Sequence, residues 1–432
     1  MSEQREILIN VPVLARVEGE GALDLNIRNG AIESLHLKIY EPPRLFEKFL
    51  EGRSYTEVPD MVARICGICP VAYQMSAVHA IESIFSVDPG PWVRAMRRLF
   101  YCGEWMESHS LHIHLLAAPD YFACGNVAQL AEKFPDEVRR GLRLQGLGND
   151  IIRFLGARSV HPVGARAGGF HHAPDIQEAA GLKQRIEASL QEARDLIQWV
   201  SGFDIPAVEQ DFEYVSLRHP DEYPMNEGRL VSNRGLDLSI ADFDTEFAEI
   251  QVPYSTALHS LHRGEPYLVG PLARLNNNLD KLPPQVLEAA VATGISWPSL
   301  NPYHSMVARA VEIYYAMTEA IRMLTDYQKP DSPYVETRTR PGVGFGCTEA
   351  PRGMLWHRYE LNESGEVMTA RIVPPTSQNQ ARIEEDLRQS LMNFGLNHTT
   401  EELKLRAETV IRNYDPCISC STHFLDLRVT RE

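Results

Sequence analysis

Two short segments decide the fold of this chain: RICGICP at residues 64–70 and DPCISCSTH at residues 415–423. Each segment contains a Cys-x-x-Cys motif, and most of the chain lies between the two motifs. Four thiolates supplied as two pairs are suitable ligands for a thiophilic metal such as Ni, Fe, Zn or Cu(I). The fold must therefore bring both ends of the chain together around one site, which argues against a small local zinc knuckle.

The composition is that of a globular protein with a sizeable core. The 432 residues are 44% hydrophobic and 23% charged, which is ordinary for a folded chain. The formal net charge of −16 disfavours nucleic acid and anionic membrane surfaces as partners. No apolar run approaches the roughly 20 residues of a membrane span, and the N-terminus lacks a signal-peptide pattern. Seven cysteines in a chain without a secretion signal indicate metal or redox chemistry rather than a secreted disulfide framework. We therefore expect a cytoplasmic protein without direct membrane insertion.

Alternating hydrophobicity predicts a β part at the N-terminus. Residues 7–13 and 22–27 alternate apolar and polar side chains and precede an Asn-Gly turn. This pattern predicts an antiparallel β meander over about residues 1–40. Residues 204–282 and 335–372 also resemble strands and loops.

Helical spacing of apolar residues marks most of the remaining chain. Helices are expected at residues 44–51, 71–85, 91–117, 177–200, 304–327, 381–394 and 399–414. No internal repeat, low-complexity tract or long linker interrupts the sequence. We therefore expect an α+β fold, mainly α, as one domain over residues 1–432, with a large helical core enclosing a buried metal site and peripheral β elements.

The residues that flank the cysteines narrow the choice of metal. Zinc is the usual metal for four such thiols, but structural zinc pairs are commonly about 15–20 residues apart. Arg-x-Cys-Gly-x-Cys near the N-terminus and Asp-Pro-Cys-x-x-Cys-x-x-His at the C-terminus together resemble the large subunit of [NiFe] hydrogenases. Further matches to that family are RVEG at 16–19, HP at 161–162, GG at 168–169 and EAPRG at 349–353.

The resemblance implies a Ni ion held by four cysteine sulfurs, two of which bridge to an Fe carrying cyanide and carbonyl ligands. Cys66 and Cys417 would be terminal Ni ligands, and Cys69 and Cys420 would bridge Ni and Fe. Glu18 matches the family glutamate that takes a proton from Cys417. A carboxyl group in a dry pocket has a raised pKa, which suits a proton relay. Without the resemblance, Glu18 would be interpreted as an ordinary surface residue on a strand.

The resemblance also implies which residues surround the diatomic ligands. Arg352 would contact a cyanide, for which its permanent charge and rigid fork of donors are suited, and Pro351 precedes it in the same motif. Asp415 would orient the Arg352 guanidinium. Thr376 would donate its hydroxyl to the other cyanide, although the doubled proline before it leaves the register open by one residue.

Family members hold a hard cation, usually Mg2+, near the C-terminus. By position, Glu47 would supply a carboxylate, His423 an imidazole and Ile372 a backbone oxygen. Few protein ligands suffice because Mg2+ keeps several of its waters. Without the resemblance, Glu47 is one of several glutamates on an amphipathic helix.

The chain departs from the family pattern at two positions. Tyr73 stands where many relatives carry a histidine that hydrogen-bonds a bridging sulfur, and no role is assigned to it. Ser108 stands near the position of a family aspartate. His109, His112 and His114 follow on the same helix, but their spacing does not place all three on one face, so we expect packing or interface histidines rather than a second metal site.

Electron transfer requires partner subunits. The remaining cysteines, Cys102, Cys124 and Cys347, are scattered and cannot supply the four that an iron–sulfur cluster usually needs. The glycine-rich residues 342–346 lack the strand–turn–helix context of a dinucleotide site. The resemblance implies an iron–sulfur small subunit as partner, with flavin and NAD(P) on diaphorase-type and ferredoxin-like subunits.

The modest length and the segments EWMESH at 104–109 and PPTSQN at 374–379 look most like the cytoplasmic NAD(P)-linked branch, some members of which also reduce sulfur to sulfide. We expect reversible heterolytic cleavage of H2 with electrons passed to NAD(P)+. A hydrogenase serving a deazaflavin or a membrane complex is one alternative. A non-catalytic zinc-binding or H2-sensing protein is the other. Residues 424–432 are either an extension that a maturation endopeptidase removes or a retained tail.

Overall fold

The computed structural model describes residues 6–422. Its strands are β1 (Glu6–Val11), β2 (Gly21–Arg28), β3 (Ala31–Ile39), β4 (Ala165–Arg166), β5 (Gly169–Phe170), β6 (Glu213–Arg218), β7 (Arg229–Ser232), β8 (Asp237–Leu238), β9 (Phe247–Gln251), β10 (Leu258–His262), β11 (Tyr267–Leu268), β12 (Gly342–Ala350), β13 (Gly353–Leu361) and β14 (Val367–Val373). Its α-helices are α1 (Phe46–Leu50), α2 (Val58–Val62), α3 (Pro70–Phe85), α4 (Gly90–Leu111), α5 (Ala118–Tyr121), α6 (Val127–Lys133), α7 (Pro135–Gly156), α8 (Ile176–Ala188), α9 (Leu190–Ser201), α10 (Phe243–Glu246), α11 (Pro271–Asn278), α12 (Pro284–Val291), α13 (Ser305–Thr325), α14 (Pro375–Phe394) and α15 (Thr400–Asn413).

The N-terminal meander is confirmed. Strands β1, β2 and β3 form an antiparallel sheet in that order, with Ile9 opposite Leu25 and Leu25 opposite Leu35. Leu23, Leu25 and Ile27 are buried, as alternation along a strand with one covered face requires. The sheet therefore buries the apolar side of the pattern read from the sequence.

The helical core surrounds the two cysteine segments. Helix α4 packs against α7 on one side and α13 on another. The approach to α7 is close, because a Cβ on Gly148 would lie 2.5 Å from the backbone oxygen of Gly103. All four cysteines of the paired motifs belong to the largest cluster of buried apolar residues, so the site lies inside the core.

A second antiparallel sheet, β12-β13-β14, covers helix α3. Its first strand contains the glycine-rich residues 342–346, and a Cβ on Gly346 would lie 2.0 Å from the backbone oxygen of Ser76 in α3. Glycine is required there because the strand backbone touches the helix backbone. The strands expected within residues 335–372 are thus confirmed, and the glycines serve close packing.

Four helical regions differ from the sequence expectation. The helix expected over 177–200 is two helices, α8 and α9, separated at Ser189. Helix α14 begins at Pro375 rather than at 381, because proline is well suited to the first turn of a helix. The 22-residue helix α7 was not expected, since its glycines and charges weaken the helical pattern. The helix expected over 91–117 changes to a π-helical turn at His112–Ala117.

The middle of the chain adds smaller β elements. Strands β11, β6, β7 and β8 form a four-stranded sheet in that order, in which β11 is parallel to β6. Helix α11 follows β11 directly. Among the helices between residues 6 and 422, none has the length and apolarity needed to cross a membrane.

Candidate metal centre

The fold brings the two Cys-x-x-Cys motifs together. Cys66 and Cys69 lie in the turn before α3, and Cys417 and Cys420 lie in the turn after α15. The Sγ atoms of Cys66 and Cys417 are 3.5 Å apart, and those of Cys69 and Cys420 are 3.8 Å apart. All four Sγ atoms lie within 4.8 Å of one another, and all four residues are buried. Within residues 6–422, no other group of His, Cys, Asp or Glu side chains is arranged to hold a metal ion.

The electrostatics of the four sulfurs favour a bound cation. Hydrogen bonds from neighbouring thiols, with that of Cys417 foremost, lower the pKa of Cys66 well below its ordinary value. Burial, in contrast, raises the pKa of Cys417 well above it. The protein therefore stabilises one thiolate but not four, because like charges in a dry site repel. A metal ion would supply the positive charge that lets all four sulfurs ionise.

A carboxylate lies beside the second cysteine pair. The backbone of Glu18 pairs with Cys417 as an isolated bridge, and Ile418 N donates to Glu18 O at 3.0 Å. The side-chain Oε2 of Glu18 accepts a hydrogen bond from Ser419 N at 3.1 Å. Burial raises the pKa of Glu18, although hydrogen bonds with Ser419 and the Cys417 thiol oppose this shift. The structure thus places Glu18 in contact with the sulfur that the sequence analysis paired with it.

A buried guanidinium faces the cysteines from the other side. Strands β12 and β13 are joined by only two residues, Pro351 and Arg352. Arg352 Nε donates to Asp415 O at 2.7 Å, and Nη2 donates to Asp415 Oδ1 at 3.2 Å. Burial disfavours the Arg352 charge, but Asp415 and the cysteine sulfurs outweigh burial and raise the pKa of Arg352. Arg352 Nη1 is buried without a hydrogen-bond partner in residues 6–422, so it retains donors for a ligand.

Two buried hydroxyl groups lie in the first turn of α14, and one of them contacts Cys417. Thr376 is in the first turn of α14, and its Oγ1 accepts a hydrogen bond from Cys417 N at 3.0 Å. Its own hydroxyl proton remains available for donation. The neighbouring Ser377 Oγ is buried and has no partner in the described part of the chain. Thr376, the residue expected from the sequence, therefore contacts Cys417.

Two of the three residues expected at the hard-cation site are in contact. Glu47, in α1, accepts a hydrogen bond through Oε1 from Ile372 N in β14 at 2.7 Å. Arg44 N donates to Thr422 O at 2.7 Å, which holds the end of the described chain beside the start of α1. His423 itself lies outside the described residues.

Tyr73, Ser108 and the three histidines that follow Ser108 are all buried. The ring centroids of Tyr73 and His357 lie 5.7 Å apart, and burial raises the pKa of Tyr73 well above its ordinary value. His109 Nε2 lies 2.8 Å from Glu312 Oε2, and His112 Nε2 lies 2.7 Å from Arg412 O. His114 Nδ1 lies 2.9 Å from Ser110 O. Each histidine therefore has its own partner, which agrees with packing roles.

Three further charged side chains build the site, and none of them was expected there from the sequence. Arg44 Nη2 donates to Ile65 O at 2.7 Å and also to Ser419 O, and so ties the two cysteine segments together. The Glu104 carboxylate accepts from the backbone nitrogens that begin α3, with Val71 N at 2.6 Å. Arg274 is fully buried between two carboxylates near Arg352. Arg44 and Arg274 stand in no recognisable motif, and Glu104, although it is part of the EWMESH segment at 104–109, had no role assigned to it.

The site as a whole suits a thiophilic metal with small ligands. Four buried sulfurs form its base, a permanent cation offers unused donors, and a carboxylate with a raised pKa touches one sulfur. These features match the chemistry of a Ni–Fe centre whose Fe carries anionic diatomic ligands, because guanidinium and hydroxyl donors can hydrogen-bond cyanide.

Comparisons with known proteins agree with the geometry. The family model described as nickel-dependent hydrogenase matches residues 44–140 and 240–423. Sulfhydrogenase 1 subunit alpha of Pyrococcus furiosus is 32% identical over 429 residues, which cover 97% of this chain and 98% of that protein. NAD-reducing hydrogenase HoxS subunit beta of Cupriavidus necator is 27% identical and covers 98% of this chain and 95% of its own length.

A solved structure shares the whole architecture. The crystal structure of an NAD+-reducing [NiFe]-hydrogenase in the H2-reduced state has a TM-score of 0.87 to this chain at 27% identity, covering 97% of this chain and 99% of that one. The matches extend over nearly the full length, and the family model includes both cysteine motifs. The resemblance read from the sequence is therefore confirmed. The chain belongs to the nickel-dependent hydrogenase family as a large subunit, with a four-cysteine cluster that fits the Ni–Fe centre.

Proposed function

We propose that this chain catalyses reversible heterolytic cleavage of H2 as a single domain, with Cys66 and Cys417 as terminal Ni ligands and Cys69 and Cys420 as ligands shared by Ni and Fe. The observation that carries the proposal is the closure of four buried sulfurs within 4.8 Å. When bound, the Ni–Fe centre supplies the redox-active Lewis acid at which H2 is split. Elemental analysis and infrared spectroscopy of the purified protein test the proposal: Ni and Fe with CN and CO bands are expected, and stoichiometric zinc without those bands contradicts it.

Glu18 carries the proton away from the site. The Cys417 sulfur, activated by the metal, holds the proton first, and the Glu18 carboxylate in contact with it accepts the proton next. Burial raises the pKa of Glu18. The raised pKa is closer to neutral pH, which makes the carboxylate a better proton acceptor. Glu18 is only partly buried, so the proton can continue towards solvent.

Arg352, Asp415, Pro351 and Thr376 hold the ligands of the Fe. Arg352 Nη1, which has no partner in the described residues, donates to one cyanide, and Asp415 fixes the guanidinium by two hydrogen bonds. The Thr376 hydroxyl accepts a hydrogen bond from Cys417 N and would donate a hydrogen bond to the other cyanide. Pro351 shapes the two-residue turn that presents Arg352.

Glu47, His423 and the backbone oxygen of Ile372 hold a Mg2+ ion beside the C-terminal segment. The contact of Glu47 with the Ile372 backbone and the position of Thr422 beside α1 support this assignment. Only three protein ligands are required because Mg2+ keeps several waters in its octahedron. The ion would fasten the C-terminal segment to the core.

Electrons leave through a partner subunit that carries iron–sulfur clusters. We place this exit at the first cysteine turn, in which Gly67 is exposed and Ile68 is half-buried between the buried Cys66 and Cys69. Val160, 53% exposed, lies beside Gly67 and extends this surface. A partner docked here would place its cluster next to the metal-bound sulfurs. A maturation endopeptidase is the further partner that we propose, for the case in which residues 424–432 are an extension rather than a retained tail.

NAD(P)+ is the proposed final acceptor, through flavin-containing diaphorase-type and ferredoxin-like subunits in the cytoplasm. The match to an NAD+-reducing [NiFe]-hydrogenase over nearly the whole chain supports this acceptor. The 32% identity to a sulfhydrogenase alpha subunit supports sulfur or polysulfide as a second acceptor. Purification of the native complex under H2, followed by assays with NAD+, NADP+, polysulfide and a deazaflavin, tests the assignment. Reduction of the deazaflavin alone would contradict it.

A further inference from the structure

Arg274 is a fully buried arginine whose five N–H groups are all used. Its Nε and Nη2 bind the two oxygens of Glu312 at 2.8 and 2.7 Å. Its Nη1 donates to Glu349 Oε2 at 3.0 Å and to Ala350 O at 2.6 Å. Its Nη2 also donates to Pro351 O at 3.0 Å. The guanidinium therefore holds three consecutive residues at the end of β12.

Those three residues lead directly into Arg352. The same region is closed from the α11 side, because a Cβ on Gly270 would lie 2.9 Å from Arg352 O. A Cβ on Gly353 would lie 2.5 Å from Val269 Cγ2. The turn that presents Arg352 is thus packed closely against Val269 and Gly270, which precede α11, and is bound by the Arg274 side chain from the same helix.

The surroundings of Arg274 hold it rigidly. Glu312, on α13, also pairs with His109 Nε2 at 2.8 Å. The Trp105 ring lies 4.4 Å from the Arg274 guanidinium carbon, and Trp105 Nε1 donates to Glu349 O at 3.0 Å. Helices α4, α11 and α13 therefore converge on one strand end. The pKa of Glu312 is lowered to about 2, since burial is outweighed by Arg274, whereas burial raises the pKa of Glu349 to about 7.

We propose that Arg274 is a positioning residue of the hydrogenase centre: by binding the backbone oxygens of Ala350 and Pro351 together with two buried carboxylates, it fixes the direction in which Arg352 points at the metal ligands. The proposal rests on the role given above to Arg352. Arg274 does not touch the cluster of sulfurs; it acts through the main chain of the turn.

The variant Arg274→Lys tests this directly. A lysine keeps the charge but cannot donate to two carbonyls and two carboxylates at once, and Glu349 can take up a proton to relieve the lost pairing. We expect full Ni and Fe content, shifted CN stretching bands, and a loss of H2/D2 exchange of up to about 100-fold, the size expected for a displaced catalytic group. Arg97→Lys is the matched control, because Arg97 is a buried arginine bound to Glu82. It should lower the unfolding midpoint without moving the CN bands.

Arg352→Lys separates this proposal from the one on which it rests. If Arg352→Lys leaves the CN bands unmoved, the role of Arg352 fails, and the positioning role of Arg274 fails with it. If Arg352→Lys moves the bands but fully loaded Arg274→Lys does not, only the positioning role is overturned. Should Arg274→Lys fail to load metal, Glu349→Gln decides by the same bands, because Arg274 and Leu217 N donate to different oxygens of the Glu349 carboxylate and a glutamine has an NH2 group in place of one of them.

Discussion

Replacing Glu18 by glutamine isolates the proton-transfer step from the metal site. The carboxylate accepts a hydrogen bond from Ser419 N at 3.1 Å and contacts the Cys417 thiol. A glutamine side chain has the same shape, and its amide oxygen can still accept from Ser419 N. Its NH2 group can face the sulfur but cannot accept a proton. The variant should therefore fold and bind Ni and Fe as the wild type does while losing the relay.

The size of the effect follows from what a positioned acid–base group contributes. Such groups account for about 10²–10⁴-fold in rate, so H2/D2 exchange of Glu18→Gln should fall by that factor. The pH dependence gives a second readout. Because the carboxylate form must accept the proton during H2 oxidation, and burial raises the pKa of Glu18, the wild-type oxidation rate should fall as the pH drops through that raised pKa. In Glu18→Gln this acid limb should disappear.

Glu41 provides the matched control. Its Oε2 accepts from Ser419 Oγ at 2.9 Å and from Glu20 N at 3.3 Å, so it binds the same serine as Glu18. Glu41→Gln should exchange hydrogen at the wild-type rate. If fully metallated Glu18→Gln also exchanges at the wild-type rate, with the acid limb unchanged, Glu18 is not the relay.

Three further predictions concern other parts of the structure. Gly346→Ala should lower the free energy of unfolding by about 1–3 kcal/mol, measured by chemical denaturation, because its Cβ would meet Ser76 O at 2.0 Å; an unchanged value would contradict the close strand–helix packing. Glu47→Gln can still accept from Ile372 N but loses its charge, so bound Mg2+ should be removed faster by a chelator, and equal retention would exclude Glu47 as a ligand. Since burial lowers the pKa of His114 from 6.5 to about 3, its neutral form stabilises the fold above pH 6.5, and that stability, up to about 5 kcal/mol, should be lost as the pH falls towards 3; His114→Gln should reduce this slope, and an equal slope would contradict the assignment.

The spacing of apolar residues predicted those strands and helices that bury only one face. The N-terminal strands have one covered face, so apolar and polar residues alternate and the meander could be read directly. Helix α7 was not predicted from the sequence, because Gly148 weakens the helical pattern. The role of Gly148 is to let the backbone of α4 approach closely. The break at Ser189 between α8 and α9 likewise leaves the apolar spacing of the predicted single helix almost intact.

By itself the sequence determined the four paired cysteines and the family, because both Cys-x-x-Cys motifs and their neighbours are contiguous segments with distinctive residue types. Only the tertiary structure decided how the site closes. Arg44 joins the two cysteine segments by hydrogen bonds to Ile65 O and Ser419 O, which are far apart in sequence. Arg274 donates a hydrogen bond to Ala350 O, at the end of β12. These hydrogen bonds join side chains to backbone oxygens of distant residues. A backbone oxygen is the same in every residue, so such contacts leave no pattern in the sequence and arise only when the chain has folded.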